Sequence, residues 1–275
     1  MNIIITGGYG FIGTYLHDQL QCGYNILAAR SKKLPVDEIY KRVVCGNLYP
    51  IQKADLDIIY HLAAYSRVQG SNVPENNVFE NSVVTLKESL ELARQTGAKL
   101  VFTSTSYCIV DPYANYYAFS KHLGEQLCQF YRDTYGVDIA IVRLFNVYGN
   151  GIHGYPEWKL GVVDKFLLDK DLGSGYIINN SGEQRRDYIH VYDVCEALIK
   201  IGLSDTNPKD IYEVGTGKLY SVNQIAKMIF GDTPPECKVE VNGEIFESQT
   251  FGGIEFTRKL GWNHTTELEN YLKNT

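Results

Sequence analysis

The sequence predicts an α/β protein: a doubly wound parallel sheet with a smaller lobe towards its C-terminus. Three observations predict it. Apolar strand-like runs alternate with helically spaced segments as far as Leu144. The first run, Asn2 to Ile5, leads directly into Thr6-Gly7-Gly8-Tyr9-Gly10-Phe11-Ile12-Gly13. From Asn146 the texture turns loop-rich, with Gly149, Gly151, Gly154 and Pro156 close together.

The glycine segment makes this a Rossmann-type, dinucleotide-binding arrangement. A strand that ends in glycines and opens a helix presents backbone N–H groups and the positive helix end to a pyrophosphate. Gly7 serves the tight turn, Gly10 the approach of main chain to phosphate, and Gly13 the packing of helix on strand. Helical spacing then runs to Gln21, with Phe11 and Ile12 in its first turn. Asn25 to Ala29 reads as the second strand, and Arg30-Ser31-Lys32-Lys33 follows its end. An acid there accepts the ribose hydroxyls of NAD, whereas an arginine suits the extra phosphate of NADP. Arg30 and the missing acid therefore favour NADP over NAD, with a solvated charge run as the alternative reading. Val43-Val44 ends a short third strand, and Asn47 and Leu48 lie just beyond it.

Asp57 to Ala64 is the next buried run. Its small ending, Leu62-Ala63-Ala64, lets a ligand near the backbone. Val83, Leu86, Leu90 and Ala93 have helical spacing, and Gly97 is placed to stop that helix. Leu100 to Phe102 is a strand whose end carries Thr103-Ser104-Thr105-Ser106, on the side where parallel sheets hold ligands. Ile139 to Leu144 is the last strand of the alternation. Residues 1–146 are thus expected to form the dinucleotide-binding domain. Residues 147–275 are expected to be mainly a substrate-binding lobe, with segments returning to the first domain. In that lobe a short helix is expected near Val162 to Leu168 and a strand at Tyr176 to Ile178. Ser221 with Gln224, and Thr266 with Glu269, read as capping boxes.

Composition removes several classes of function. A net charge of −6 offers no basic surface to a nucleic acid. No apolar run approaches a membrane span, and Gly7 stands where a secretory leader would need its apolar core. The six cysteines are scattered without ligand spacing; free thiols in a reducing cytoplasm are expected, and no metal site.

Tyr117 and Lys121 are four apart and share one helix face. Tyr49 with Lys53 and Tyr155 with Lys159 have the same spacing, but both tyrosines precede a proline, which biases them towards extended or turn backbone. Only Tyr117 opens a long helical pattern, through Leu123, Leu127, Phe130 and Tyr131 to Gly136.

Taken together these residues resemble the extended short-chain dehydrogenase/reductase family, in its NAD-dependent epimerase/dehydratase group acting on nucleotide sugars. The resemblance runs through Gly7-x-x-Gly10-x-x-Gly13, His61-Leu62-Ala63-Ala64 and Tyr117-x-x-x-Lys121. Arg143 to Gly149, Arg186 to Val191 and Leu260-Gly261-Trp262 continue it. It implies Tyr117 as general acid and base, Lys121 stabilising the phenolate and holding the nicotinamide ribose, and Thr105 as the hydroxyl partner, with Ser104 or Ser106 in reserve. It further implies Asn146 and Arg186 on the diphosphate of a nucleotide sugar; for Arg186 an ion pair with Asp187 or Asp193 is the structural alternative. The implied reaction is epimerisation by transient oxidation at C4, or, with NADPH, reduction of a 4-keto sugar. A 4,6-dehydratase is disfavoured, because Ser106-Tyr107-Cys108 carries no acid after Thr105. Cys108 reads as a core or surface thiol. A non-catalytic dinucleotide-binding module is the remaining class, and intact Tyr117 and Lys121 argue against it. The chain departs from that family in a shortened loop between Thr105 and Tyr117 and in Asn47, which replaces an aspartate near the adenine; the resemblance implies a cytoplasmic homodimer paired through the helices around Leu86 and Leu127, with core packing of those residues as the alternative.

Overall fold

In the computed structural model the described residues are 1–20, 24–29, 56–64, 78–149, 160–206, 210–231, 237–240 and 253–275. The central sheet has six parallel strands: β1 (Asn2–Thr6), β2 (Asn25–Ala29), β3 (Leu56–His61), β4 (Lys99–Thr105), β5 (Ile139–Leu144) and β9 (Ile211–Val214). Their order is β2-β1-β3-β4-β5-β9. It is a Rossmann-like doubly wound sheet. The third strand expected at Val43-Val44 lies outside the described residues.

The runs were apolar throughout because both faces of this sheet are covered. Ile3 and Ile5, Ile58 and Tyr60, Val101, Ala140 and Val142 point into one layer, with Leu16 and Leu20 of α1 (Phe11–Leu20) and Leu198 and Ile201 of α6 (Val191–Leu203). The intervening residues Ile4, Ile59, Leu100, Phe102, Ile139 and Ile141 enter the other layer. There they meet α2 (Thr85–Thr96), led in by a π-helical turn at Glu80–Val84, and α4 (Tyr116–Tyr135), which follows the short α3 (Tyr107–Val110). Gly97 and Gly136 close α2 and α4. The Asn115 side chain opens α4 by accepting from the Ala118 amide at 2.9 Å. Leu86 is fully buried in this layer, and Leu127 packs against it. Leu86 is thus a core side chain.

After β5 the chain turns at Phe145 into β6 (Asn146–Tyr148). This strand pairs in parallel with β8 (Arg185–His190), which pairs in turn with β10 (Leu219–Ser221). A parallel pair, β7 (Tyr176–Asn179) with β11 (Cys237–Glu240), stands apart. A third core joins α5 (Val162–Asp171), α7 (Val222–Phe230) and α9 (Leu268–Asn274) through Phe166, Tyr176, Ile225 and Leu272. The chain re-enters the central layers through α6, β9 and α8 (Gly253–Lys259), and Trp262 donates to Asp193 O at 3.0 Å.

Ser221 and Gln224 form the expected reciprocal box at the start of α7. Thr266 does not cap α9, whose N-cap is Glu267. Its amide, with the amide and hydroxyl of Thr265, is taken by the buried Asp193 carboxylate at 2.9–3.0 Å. A distant partner outbids the local pattern here.

Candidate active site

Winding reverses at β1, which lies between β2 and β3, so the loops leaving β1 and β3 part at their carboxyl ends. That crevice is where such sheets bind ligands. Thr6 fastens its two walls: its carbonyl accepts from Leu62 N at 3.1 Å and its hydroxyl from Ala63 N at 3.3 Å. The main chain is so close that a Cβ on Gly7, whose φ is +73°, would lie 2.9 Å from Ala63 N. A Cβ on Gly13 would lie 2.3 Å from Gly7 O. Gly10 N donates to Gly7 O at 2.8 Å and so closes the turn that starts α1. No side chain fits inside this cradle, and its backbone is left to face a phosphate; the cradle fits a dinucleotide. Strand β3 ends at His61, three residues before the sequence-based limit, because Leu62 and Ala63 turn towards Thr6 while Ala64 lies in a bend. Arg30, Asn47 and Leu48 lie outside the described residues.

Next to the cradle is a cleft of about 300 Å³ that Phe11, Thr105, Tyr107, Tyr117, Asn146 and Asp164 help to line. Four residues singled out in the sequence, from four separate elements, therefore meet in one space. Thr105 ends β4, Tyr117 stands in the first turn of α4, Asn146 opens β6 and Phe11 opens α1. Tyr117 and Thr105 both line this cleft. Burial raises the Tyr117 phenol to about 12 and Thr105 pulls it back, so the group is a neutral acid at pH 7.

Lys121, one turn further along α4, is buried. Its ammonium donates to Thr103 O at 2.6 Å and lies 5.0 Å from the centre of the Phe102 ring. Burial lowers its pKa to about 8, against the opposing pull of Cys108, Cys128 and Glu125. Ser104, a reserve partner for Tyr117, is spent elsewhere, donating to Glu125 at 2.5 Å. Cys108 is a core thiol, raised to about 11 first by burial and then by Glu125.

Asn146 Nδ2 donates to Asp187 O at 3.2 Å, which fixes its side chain across the β6–β8 pair. Burial raises the phenol pKa of Tyr107, which is part of the lining, and the charge of Arg186 draws it back. The Asp187 carboxylate accepts from Thr216 N, Thr216 Oγ1 and Gly217 N at 2.8–3.1 Å, and Asp193 is held by Thr265 and Thr266. Sequence reasoning missed Tyr107 and Asp164. Tyr107 carried a signal in its place two residues after Thr105; Asp164, in the first turn of α5, carried none.

Among the described residues no group of three His, Cys, Asp or Glu side chains is placed to hold a metal. None of their helices is long and apolar enough to cross a membrane.

Comparison with known proteins extends the likeness over the whole chain. A putative UDP-glucose 4-epimerase of Methanocaldococcus jannaschii is 29% identical over 98% of this chain and 96% of its own. A dTDP-D-glucose 4,6-dehydratase of Mus musculus is 27% identical, covering 99% and 87%. The solved UDP-glucose 4-epimerase of Thermotoga maritima, determined with UDP-glucose, superposes with a TM-score of 0.81 at 25% identity over 99% of this chain and 96% of that one. The model of the NAD dependent epimerase/dehydratase family matches residues 3–215, and the chain belongs to that enzyme family.

Proposed function

We propose that the protein is a nucleotide-sugar epimerase that works through transient oxidation at C4 of the hexose. One observation carries the reading: Tyr117 and Thr105 line the same cleft as Phe11 of α1, beside the glycine cradle, with no acid at the two positions after Thr105. When bound, a nicotinamide dinucleotide supplies the hydride acceptor. Gly7, Gly10 and Gly13 hold its pyrophosphate through main-chain N–H groups, with Leu62, Ala63 and Ala64 forming the opposite wall. Lys121 offers the remaining ammonium hydrogens to the nicotinamide ribose. Tyr117 takes the proton of the sugar hydroxyl and later returns it, while Thr105 holds the phenol in position. Arg186 and Asn146 hold the diphosphate, Arg186 as a permanently charged fork.

The mouse relative is a 4,6-dehydratase, and dehydration needs an acid for the departing hydroxide. Ser106 and Tyr107 stand at those positions here, and this supports epimerisation over dehydration. The test is exchange at C4: wild-type protein should interconvert epimers over many turnovers with no net nicotinamide consumed. Tyr117→Phe should lower turnover by about 10²-fold or more while nucleotide-sugar binding persists. Undiminished turnover in that variant would remove the mechanism.

Arg30 supports a second reading, an NADPH-dependent 4-reductase. One nicotinamide consumed per product would establish it. The same residue favours NADP(H) over NAD(H), and equal or reversed affinities in a direct titration would remove Arg30 from cofactor choice. We also propose a homodimer through the outer faces of α2 and α4, where Phe130 and Tyr135 remain about half exposed. Sedimentation as a monomer at micromolar concentration would exclude it. A cytoplasmic setting is part of the same reading, and cell fractionation with an epitope-tagged protein tests it.

A further inference from the structure

Gly149, where the chain leaves β6, is held from two sides by different parts of the molecule. Its carbonyl accepts from Tyr15 Oη of α1 at 3.0 Å, and its amide donates to Asp164 Oδ1 of α5 at 3.1 Å. Its φ is +97°, and a Cβ here would run into the His190 ring, so only glycine serves. Tyr15 is itself fixed: its ring stands edge-on to Phe11 and to Tyr192, with centroids 5.8 Å and 5.2 Å away. Phe11 opens α1 beside the glycine cradle and lines the cleft, and Asp164 lines the same cleft from the first turn of α5. Val163, Phe166 and Leu167 bury α5 in the third core, whereas Asp164 reaches back to Gly149. Two hydrogen bonds through one residue thus join the helix that starts at the cradle to the α5 wall of the cleft.

We propose that Tyr15 is a positioning residue that couples the cofactor cradle to the substrate side of the cleft. With a pyrophosphate on the cradle the start of α1 is fixed, and through Tyr15 and Gly149 the same ordering sets Asp164 and the first turn of α5. A second ligand then meets a cleft that is already set and binds more tightly. Coupling of this kind is reciprocal, so each ligand strengthens the other equally. Hydride transfer depends on the same setting, because about 1 Å of misplacement can cost up to 10²-fold. The inference rests on the epimerase reading, in which cofactor and sugar meet in this cleft.

Tyr15→Phe keeps the ring against Phe11 and Tyr192 and removes only the hydroxyl that donates to Gly149 O. The measurement is calorimetric affinity for NAD and NADP, alone and with a saturating UDP-, dTDP- or GDP-hexose. In wild-type protein the sugar nucleotide should tighten cofactor binding by about fivefold or more. In Tyr15→Phe the cofactor alone should bind as in wild type, while most of that coupling is lost. Its kcat should fall several-fold, with a larger primary isotope effect on substrate deuterated at C4. Asp164→Ala breaks the bridge at its other end, so the coupling losses of the two changes should not add in the double variant. Wild-type coupling in Tyr15→Phe would overturn the proposal, as would additive losses or a wild type without coupling. Equal loss of cofactor affinity with and without the sugar nucleotide would overturn it too, because it marks a merely structural tyrosine. Tyr15→Phe preserves the ring, so it decides the matter even if Asp164→Ala misfolds. Wild-type protein that binds cofactor but none of the three sugar nucleotides would sink the epimerase reading, and this inference with it.

Discussion

Glu125 and Arg143 form a two-point ion pair one helical turn beyond Lys121, with Nε to Oε1 at 2.9 Å and Nη2 to Oε2 at 2.7 Å. Ser104 donates to the same carboxylate at 2.5 Å. The cluster ties α4 to β4 and β5 next to Thr105 and so fixes the helix that presents Tyr117. Burial works against the charge on Arg143, and Glu125 more than restores it. The carboxylate is only 5% exposed and the guanidinium 18%.

Glu125→Gln leaves that guanidinium without its counter-charge. Breaking a buried pair from one side costs about 3–5 kcal/mol, and the partial exposure of Arg143 puts the expected loss near the lower end. A urea midpoint measurement would detect it. Replacing both partners, as Glu125→Met with Arg143→Leu, should recover part of the loss because no charge is then stranded. A single Glu125→Gln variant as stable as wild type would mean that the pair does not hold the helix.

Lys121 gives turnover and stability opposite signs above neutrality. Its folded pKa, lowered by burial to about 8, lies below the ordinary lysine value of 10.5. Between those values the unfolded chain binds the proton and the folded one does not, so stability rises with pH over this window. Turnover that needs the ammonium falls over the same window. Activity should decline above about pH 8, while wild type gains stability relative to Lys121→Met. Parallel pH profiles of kcat/KM and thermal midpoint check both halves. A rising activity through pH 9 would remove the ammonium from the mechanism.

The central layers were legible because covered parallel strands announce themselves as continuous apolar runs, and Asn2–Thr6 and Ile139–Leu144 did so. Local stop signals were legible too: Gly97, Gly136 and the Ser221–Gln224 box act through neighbours in the chain. Relationships that depend on distant pairing were not. Ile211–Val214 is four residues long and gives no sign that it returns to β5. Thr266 had the pattern of a cap, but Asp193 claims its amide from another element. The site divides in the same way. Tyr117, Lys121 and the glycines stand in short motifs. The bond from Asn146 to Asp187 O exists only because β6 pairs with β8.

His61 should make the protein acid-sensitive from beneath the cofactor crevice. The ring is fully buried, with Nδ1 between Thr6 Oγ1 at 3.0 Å and Ser89 Oγ at 2.9 Å. Burial first, and the charge of Lys121 second, push its pKa down to about 3. The unfolded chain takes up this proton near 6.5, so stability falls as pH drops from 6.5 towards 3. The full loss is on the order of 5 kcal/mol at about 1.4 kcal/mol per unit. Denaturant titrations from pH 7 to pH 4 should slope more steeply in wild type than in His61→Leu. Parallel slopes would show that other groups govern acid unfolding.

Gly13→Ala separates the cradle from the rest of the fold. The added methyl would meet Gly7 O at 2.3 Å and Gly8 Cα at 2.7 Å, both main-chain atoms that no rotamer change moves aside. The loop must open to admit it. Overpacking of this kind costs about 1–3 kcal/mol, and the displaced amides no longer converge on a pyrophosphate. Nicotinamide dinucleotide affinity should fall tenfold or more, measured by fluorescence quenching on protein first shown to be folded by circular dichroism. Arg186 and Asn146 lie on other elements, so binding of a nucleoside diphosphate should fall far less. Cofactor binding at wild-type strength would mean that the pyrophosphate does not rest on this turn, and equal loss of both ligands would mean that the change had disturbed the whole cleft.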